Sequence, residues 1–164
     1  MTKYSKRVHN DLKAARASLK HIAVSFKNTR ETAAAISGMK LIKAQKYLQD
    51  VIEHKDIIPF RRYRYGVGRK AQAKKYGTST GRWPEKSCKT ILGLLQNAHA
   101  NAKTQSIDPE NVYINHIQVN KAPSKHRRTH RAHGRITPYR NSPCHIEVIV
   151  TSEPKIVQRG DSDI

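Results

Sequence analysis

The sequence predicts an α+β fold, with a small three-stranded antiparallel sheet packed with three helices, a long extended β-hairpin and basic extensions. Three observations lead there. Three segments have strand-like patterning. Three others carry apolar stripes at helical spacing. The positive charge is confined to segments that have too few apolar residues to form a core.

His21 to Lys27 alternates, with Ile22, Val24 and Phe26 on one face and Ala23, Ser25 and Lys27 on the other, which predicts the first strand. Asn28, with Glu31 three residues on, reads as a capping box opening a short helix through Ala33, Ala34, Ala35 and Ile36. Gly38 is placed to end that helix. Leu41, Ala44, Gln45, Leu48, Val51 and Ile52 mark a second helix between about Lys40 and His54. A third begins near Pro84, because proline is tolerated in a first turn. Its stripe is Cys88, Ile91, Leu92, Leu95, Ala98 and Ala102.

Val112 to Asn120 is rich in Val, Ile and Tyr, and its alternation changes phase between Ile114 and Ile117, which predicts a bulge or burial of both faces. His145 to Thr151 alternates cleanly, with Ile146, Val148 and Val150 on one face. If these last two strands pair, residues 121–143 form a hairpin far longer than an ordinary turn. The expected organisation is a basic extension over 1–20 and one domain over 21–152, followed by a short tail over 153–164. Within the domain lie a basic insertion at 59–87 and the extended hairpin at about 112–151.

The 164 residues are 37% hydrophobic, enough for one compact core. No stretch approaches the roughly 20 apolar residues of a membrane span, and the N-terminus lacks the apolar region of a secretory signal. Cys88 and Cys144 belong to no CxxC pair and read as ordinary buried thiols. The net charge of +20 exceeds what solubility requires and points to a polyanionic partner.

That charge is partitioned. Residues 1–20 hold six Lys/Arg against one acid, residues 59–87 nine against one, and residues 121–140 seven against none. The remainder of the chain is neutral overall. Arms of one sign around a neutral body suit contact with phosphates.

Within 59–87, cations alternate with rings: Arg61, Arg62, Tyr63, Arg64 and Tyr65, then Arg69, Lys70, Lys74, Lys75, Arg82 and Trp83. Guanidinium groups clamp phosphates, and both they and aromatic rings stack on unpaired bases. Gly66-Val67-Gly68 lacks the third glycine and the βαβ context of a dinucleotide site. The second basic segment contributes Lys121, Lys125, Arg127, Arg128, Arg131, Arg135 and Arg140. His126 and His130 have half a zinc-finger spacing, but no cysteine pair precedes them and the surrounding cations oppose a metal, so neither metal nor cofactor is expected. The basic segments hold no paired carboxylates of the kind an RNA-processing enzyme uses for magnesium, so no catalytic residue is assigned and an enzyme is not expected.

The runs SFKNTRETA, GMKLIKAQKYL, PFRRY, GVGR, AQAK, GRWP, HIQVNKAP, THRAHGRITPYR and SPCHIE closely resemble a single family. It is the large-subunit ribosomal protein numbered twenty-two in bacteria and seventeen in the eukaryotic cytosolic series. The resemblance covers roughly residues 20–152, and the PFRRY to GRWP insertion is similar to the eukaryotic and archaeal branch, with details favouring a eukaryotic cytosolic member. It implies a structural protein of the cytosolic large subunit that passes through the nucleus and nucleolus during assembly. The implied partners are large-subunit rRNA, neighbouring large-subunit proteins and, transiently, the nascent polypeptide; a homo-oligomer is not implied. It further implies that Arg127, Arg128, Arg131, His133, Gly134 and Arg135 lie at or near a hairpin tip lining the peptide exit tunnel. Lys121, Lys125 and Arg140 would belong to the hairpin stem.

Overall fold

Small residues open the first strand. Ala14, Ala15 and Ala17 are buried in strand β1, Ala14–Ile22, where Ala15 and Ala17 allow a helix to pack closely on the sheet. The computed structural model describes residues 4–6, 14–108 and 111–152. Next come helices α1, Phe26–Ile36, and α2, Leu41–Ile52. The insertion between α2 and α3 contains the short strands β2, Ile58–Pro59, and β3, Gly81–Arg82, and a 3₁₀ helix over Ala71–Tyr76. Helix α3 spans Glu85–Thr104. The strands β4, Tyr113–Lys121; β5, Lys125–His130; β6, Ile136–Asn141; and β7, Cys144–Thr151, complete the order.

The main sheet is antiparallel in the order β1-β7-β4, and three α-helices are present among the described residues. The α+β class therefore stands as expected. Central β7 turns Ile146, Val148 and Val150 toward the helices, where Ile36, Leu48, Ile91 and Leu95 complete the core. Full burial of each such Ile or Leu is worth about 1.5–3 kcal/mol. Leu94 and Tyr47 belong to this core as well. On the other face Ile149 is also buried. On that same face the Ser5 hydroxyl reaches Gln118 Oε1 at 2.9 Å and also meets Glu147, so residues 4–6 cross the outer side of β4 and β7.

Three expectations need correction. The strand expected over His21–Lys27 lies earlier, because β1 is bulged between Leu19 and Ile22 and His21 takes φ 54°. The Val24 N–H then folds back onto the Ile22 carbonyl at 2.9 Å, so the alternating apolar residues flank a tight turn and not a sheet face. Residues 14–20, expected in the basic extension, are sheet; pairing with β7 overrides the poor strand propensity of alanine. The capping box is also absent. Ser25 is the N-cap of α1, Asn28 lies inside the helix, and Glu31 is turned into the protein.

Other expectations match the described residues. Gly38 follows the end of α1 at φ 81°, and α3 begins directly after Pro84. In β4 the register slips between Ile114 and His116, as the phase change predicted. Cys88 and Cys144 are free and buried. Burial raises both thiols, Cys88 to about 12, and a hydrogen bond with Thr29 partly offsets the rise at Cys144.

Candidate nucleic-acid interface

The basic insertion is tied to the body by residues that are not basic. Phe60 is buried in the core, and its N–H donates to the Thr80 carbonyl at 3.0 Å. β2 pairs antiparallel with β3, Pro59 opposite Gly81. A Cβ at Gly81 would lie 2.8 Å from Ile57 Cδ1 and 3.0 Å from the Ile58 carbonyl oxygen, so only glycine fits there without movement.

Glu31 fixes the arginine-tyrosine run. Its side chain is 1% exposed. The backbone N–H of Arg61 donates to one carboxylate oxygen at 3.1 Å, and those of Arg62 and Tyr63 to the other at 3.1 and 2.9 Å. Arg30 adds a guanidinium contact at 3.2 Å. Three successive amides held by one buried acceptor force the chain over Arg61–Tyr63 to bend around it, leaving Arg61 and Arg62 exposed and Tyr63 half-buried beside Phe26. Arg62, Arg64 and Tyr65 are exposed, Tyr65 to 88%. Arg62 stands 5.8 Å from the Tyr63 ring centroid and Arg64 the same distance from that of Tyr65, within cation–π range.

Asp56 holds the far side of the insertion. Its carboxylate accepts from Lys75 Nζ at 2.9 Å, the Tyr76 hydroxyl at 2.8 Å and the Ile57 N–H at 2.8 Å. Burial alone would push this carboxyl up, but the hydrogen bonds from Lys75, Ile57 and Tyr76 outweigh it and hold it below its ordinary value. Tyr47, which donates to the Ile57 carbonyl at 2.6 Å, is raised chiefly by burial and then by neighbouring Tyr76.

The predicted site residues therefore differ in how free they are. Arg62, Arg64, Tyr65, Arg69, Lys70 and Lys74 are exposed. Lys75 is engaged by Asp56, one Arg61 guanidinium nitrogen binds the Tyr76 carbonyl at 3.1 Å, and Arg82 binds the Gly66 carbonyl at 2.9 Å. Trp83 is half-buried, its ring centroid 5.0 Å from that of His54 and covered by Lys70 at 5.5 Å. It packs against the body as well as facing the surface.

The second basic segment is built differently. β5 and β6 form a separate two-stranded ribbon, with Arg127 opposite Tyr139 and Arg128 opposite Pro138. All their residues are exposed except Thr129, which is half-buried. Pairing puts Lys125, Arg127, Tyr139 and Asn141 on one face, and His126, Arg128, Pro138 and Arg140 on the other. Both faces are thus cationic. The turn is closed by the Arg131 N–H on the Arg135 carbonyl at 2.7 Å, with His133 and Gly134 at φ 59° and 68°. Arg131, His133, Gly134 and Arg135 make this turn, whereas Arg127 and Arg128 lie along β5 and Lys121 ends β4 in the body. The ladder breaks between Lys121–Cys144 and Lys125–Asn141, where Pro123 and Pro143 lack the N–H a continuous ladder needs.

Among the described residues, no group of three or more His, Cys, Asp or Glu could hold a metal, and no helix is long and apolar enough to cross a membrane. Sequence reasoning missed the roles of Glu31 and Asp56. Their partners lie some 20–30 residues away, so no local spacing reveals them.

A family model described as ribosomal protein L22p/L17e matches residues 17–151. Over 164 residues the chain is 52% identical to the large ribosomal subunit protein uL22 of Podocoryna carnea, covering 100% of this chain and 90% of that protein. It is 52% identical to uL22 of Zea mays, covering 100% and 96%, and 51% identical to uL22A of Saccharomyces cerevisiae, covering 98% and 87%.

Proposed function

This chain belongs to the ribosomal protein L22p/L17e family, and from that premise we propose how it works as a structural component of the cytosolic large ribosomal subunit. Its relatives are ribosomal proteins and not enzymes. The helix-packed sheet is a neutral platform. The insertion binds rRNA through Arg62, Arg64, Tyr65 and their neighbours, and the hairpin binds it through Lys125, Arg127, Arg128 and Arg140. Assembly of the subunit takes the chain through the nucleolus, and one copy sits among neighbouring large-subunit proteins.

The observation that carries the reading is the ribbon of β5 and β6. Two strands with both faces exposed, no acid and no core are marginal in water. Such a ribbon gains a stable setting only when phosphates surround it. A salt titration of binding to purified large-subunit rRNA tests this. Affinity falls steeply, because each phosphate contact releases counterions and contributes about 0.7–0.9 to the log–log slope. A near-flat slope contradicts it.

The turn at Arg131–Arg135 supports a narrower reading, that the hairpin tip reaches the wall of the exit tunnel and meets the nascent peptide. The supporting observation is that the tip is exposed and cationic and lies at the far end of the ribbon from the body. Deleting Arg127–Arg135 leaves subunits assembled and changes pausing on sensitive peptides. Ribosome profiling with every pause site unchanged excludes this role.

A further inference from the structure

A cleft of about 680 Å³ separates α1 from the basic insertion. Its lining combines buried Pro59, half-buried Met39 and exposed Ala34 with the cations Arg30, Arg61 and Arg62. The size falls within the range of small-molecule sites. Apolar side chains beside cations and the Tyr76 ring match a nucleotide, whose flat base packs or stacks on this lining while its phosphate meets the arginines.

The lone acid at the cleft does not oppose this. Both oxygens of Glu31 are taken by the Arg61, Arg62 and Tyr63 amides, and Arg30 adds its charge beside them. The carboxylate therefore works inward, as the positioning residue that holds Arg61 and Arg62 over the opening. Each rim arginine keeps donors to spare. Arg30 spends one nitrogen on Glu31 and Arg61 one on Tyr76, out of five N–H groups on a guanidinium.

We infer that the cleft between α1 and the insertion binds one unpaired RNA nucleotide, its base against Ala34, Met39 and Pro59 and its phosphate between Arg61 and Arg62. The inference rests on the rRNA-binding reading above and adds a pocket for a base to what is otherwise backbone contact. A base stacked on an aromatic ring contributes typically about five- to a hundredfold in affinity, and Tyr76 supplies a ring in this lining.

The test uses the full chain and purified large-subunit rRNA. Ala34 lines the cleft and is exposed on α1, so Ala34→Leu fills the cleft, keeps a good helix former in place and removes no charge. It is expected to weaken binding about tenfold with the salt slope unchanged, whereas Arg62→Ala lowers the slope by about 0.7–0.9. Circular dichroism confirms that Ala34→Leu is folded. Independently, a benzophenone amino acid in place of Met39 is expected to crosslink to rRNA in intact subunits. An Ala34→Leu affinity within twofold of the unaltered chain overturns the inference, as does a Met39 crosslink only to another protein. A flat salt slope for the unaltered chain overturns the rRNA reading itself, and the inference with it.

Discussion

The insertion and the hairpin use the same residue types, arginine and tyrosine with scattered glycine, yet they are held by opposite means. In the insertion, the arginine-tyrosine run is bent around a buried carboxylate and anchored by Phe60 in the core. In the hairpin, β5 and β6 pair with each other and, among the described residues, are joined to the body across a proline-interrupted ladder. On the proposed rRNA-binding reading, one basic surface is organised before RNA arrives. On the same reading the other, a two-stranded ribbon without a core, gains a stable setting from RNA. A chain of +20 can fold because its body is nearly neutral and its most repulsive segment need not be packed.

The largest expected effect comes from breaking the insertion's anchor. Glu31→Ala strands three amides that now share one acceptor, each stranded donor costing about 1–3 kcal/mol, and the total is expected to be at least 3 kcal/mol. Urea unfolding of the free chain reads it. The matching hairpin change, Arg128→Ala, is expected to stay within about 0.5 kcal/mol, because Arg128 is exposed and no carboxylate lies in the ribbon. Equal losses in the two variants would erase the comparison.

Gly81→Ala is expected to cost roughly 1–3 kcal/mol, since its Cβ would press on Ile57 and on the Ile58 carbonyl. The loss should appear in both thermal unfolding and rRNA affinity if the insertion is preorganised. Gly134→Ala, at φ 68° with open space around it, strains only the turn and should leave body stability unchanged.

A smaller effect depends on pH. The Asp56 carboxyl is held below its ordinary 3.8 in the folded chain, so its contribution is fully present above 3.8 and is lost as pH falls below it. Asp56→Asn is therefore expected to destabilise the chain at neutral pH by about 1–2 kcal/mol. The gap from the unaltered chain closes in acid. A gap independent of pH would show that Asp56 acts by shape alone.

Much of the fold was legible in the sequence, because α2, α3, β4 and β7 combine regular spacing with large apolar residues. The slip in β4 was visible as a change of phase between Ile114 and Ile117. β1 was not visible, because Ala14, Ala15 and Ala17 are strand only by virtue of the β7 edge and the helix above them. The basic surfaces were legible from charge. What holds them was not, since Glu31 reads as a capping residue until the chain thirty residues later is folded over it. The Pro123 and Pro143 break was written in the sequence and separates the body hairpin from the ribbon.

Hydrogen exchange on the full-length chain, free and within the large subunit, tests the central contrast most directly. The Arg61, Arg62 and Tyr63 amides are expected to be protected in both states, because Glu31 holds them without RNA. Amides of Lys125–His130 and Ile136–Asn141 are expected to exchange fast in the free chain and to become protected only in the subunit. A hairpin already protected in the free chain, or Arg61–Tyr63 amides protected only in the subunit, would contradict the account.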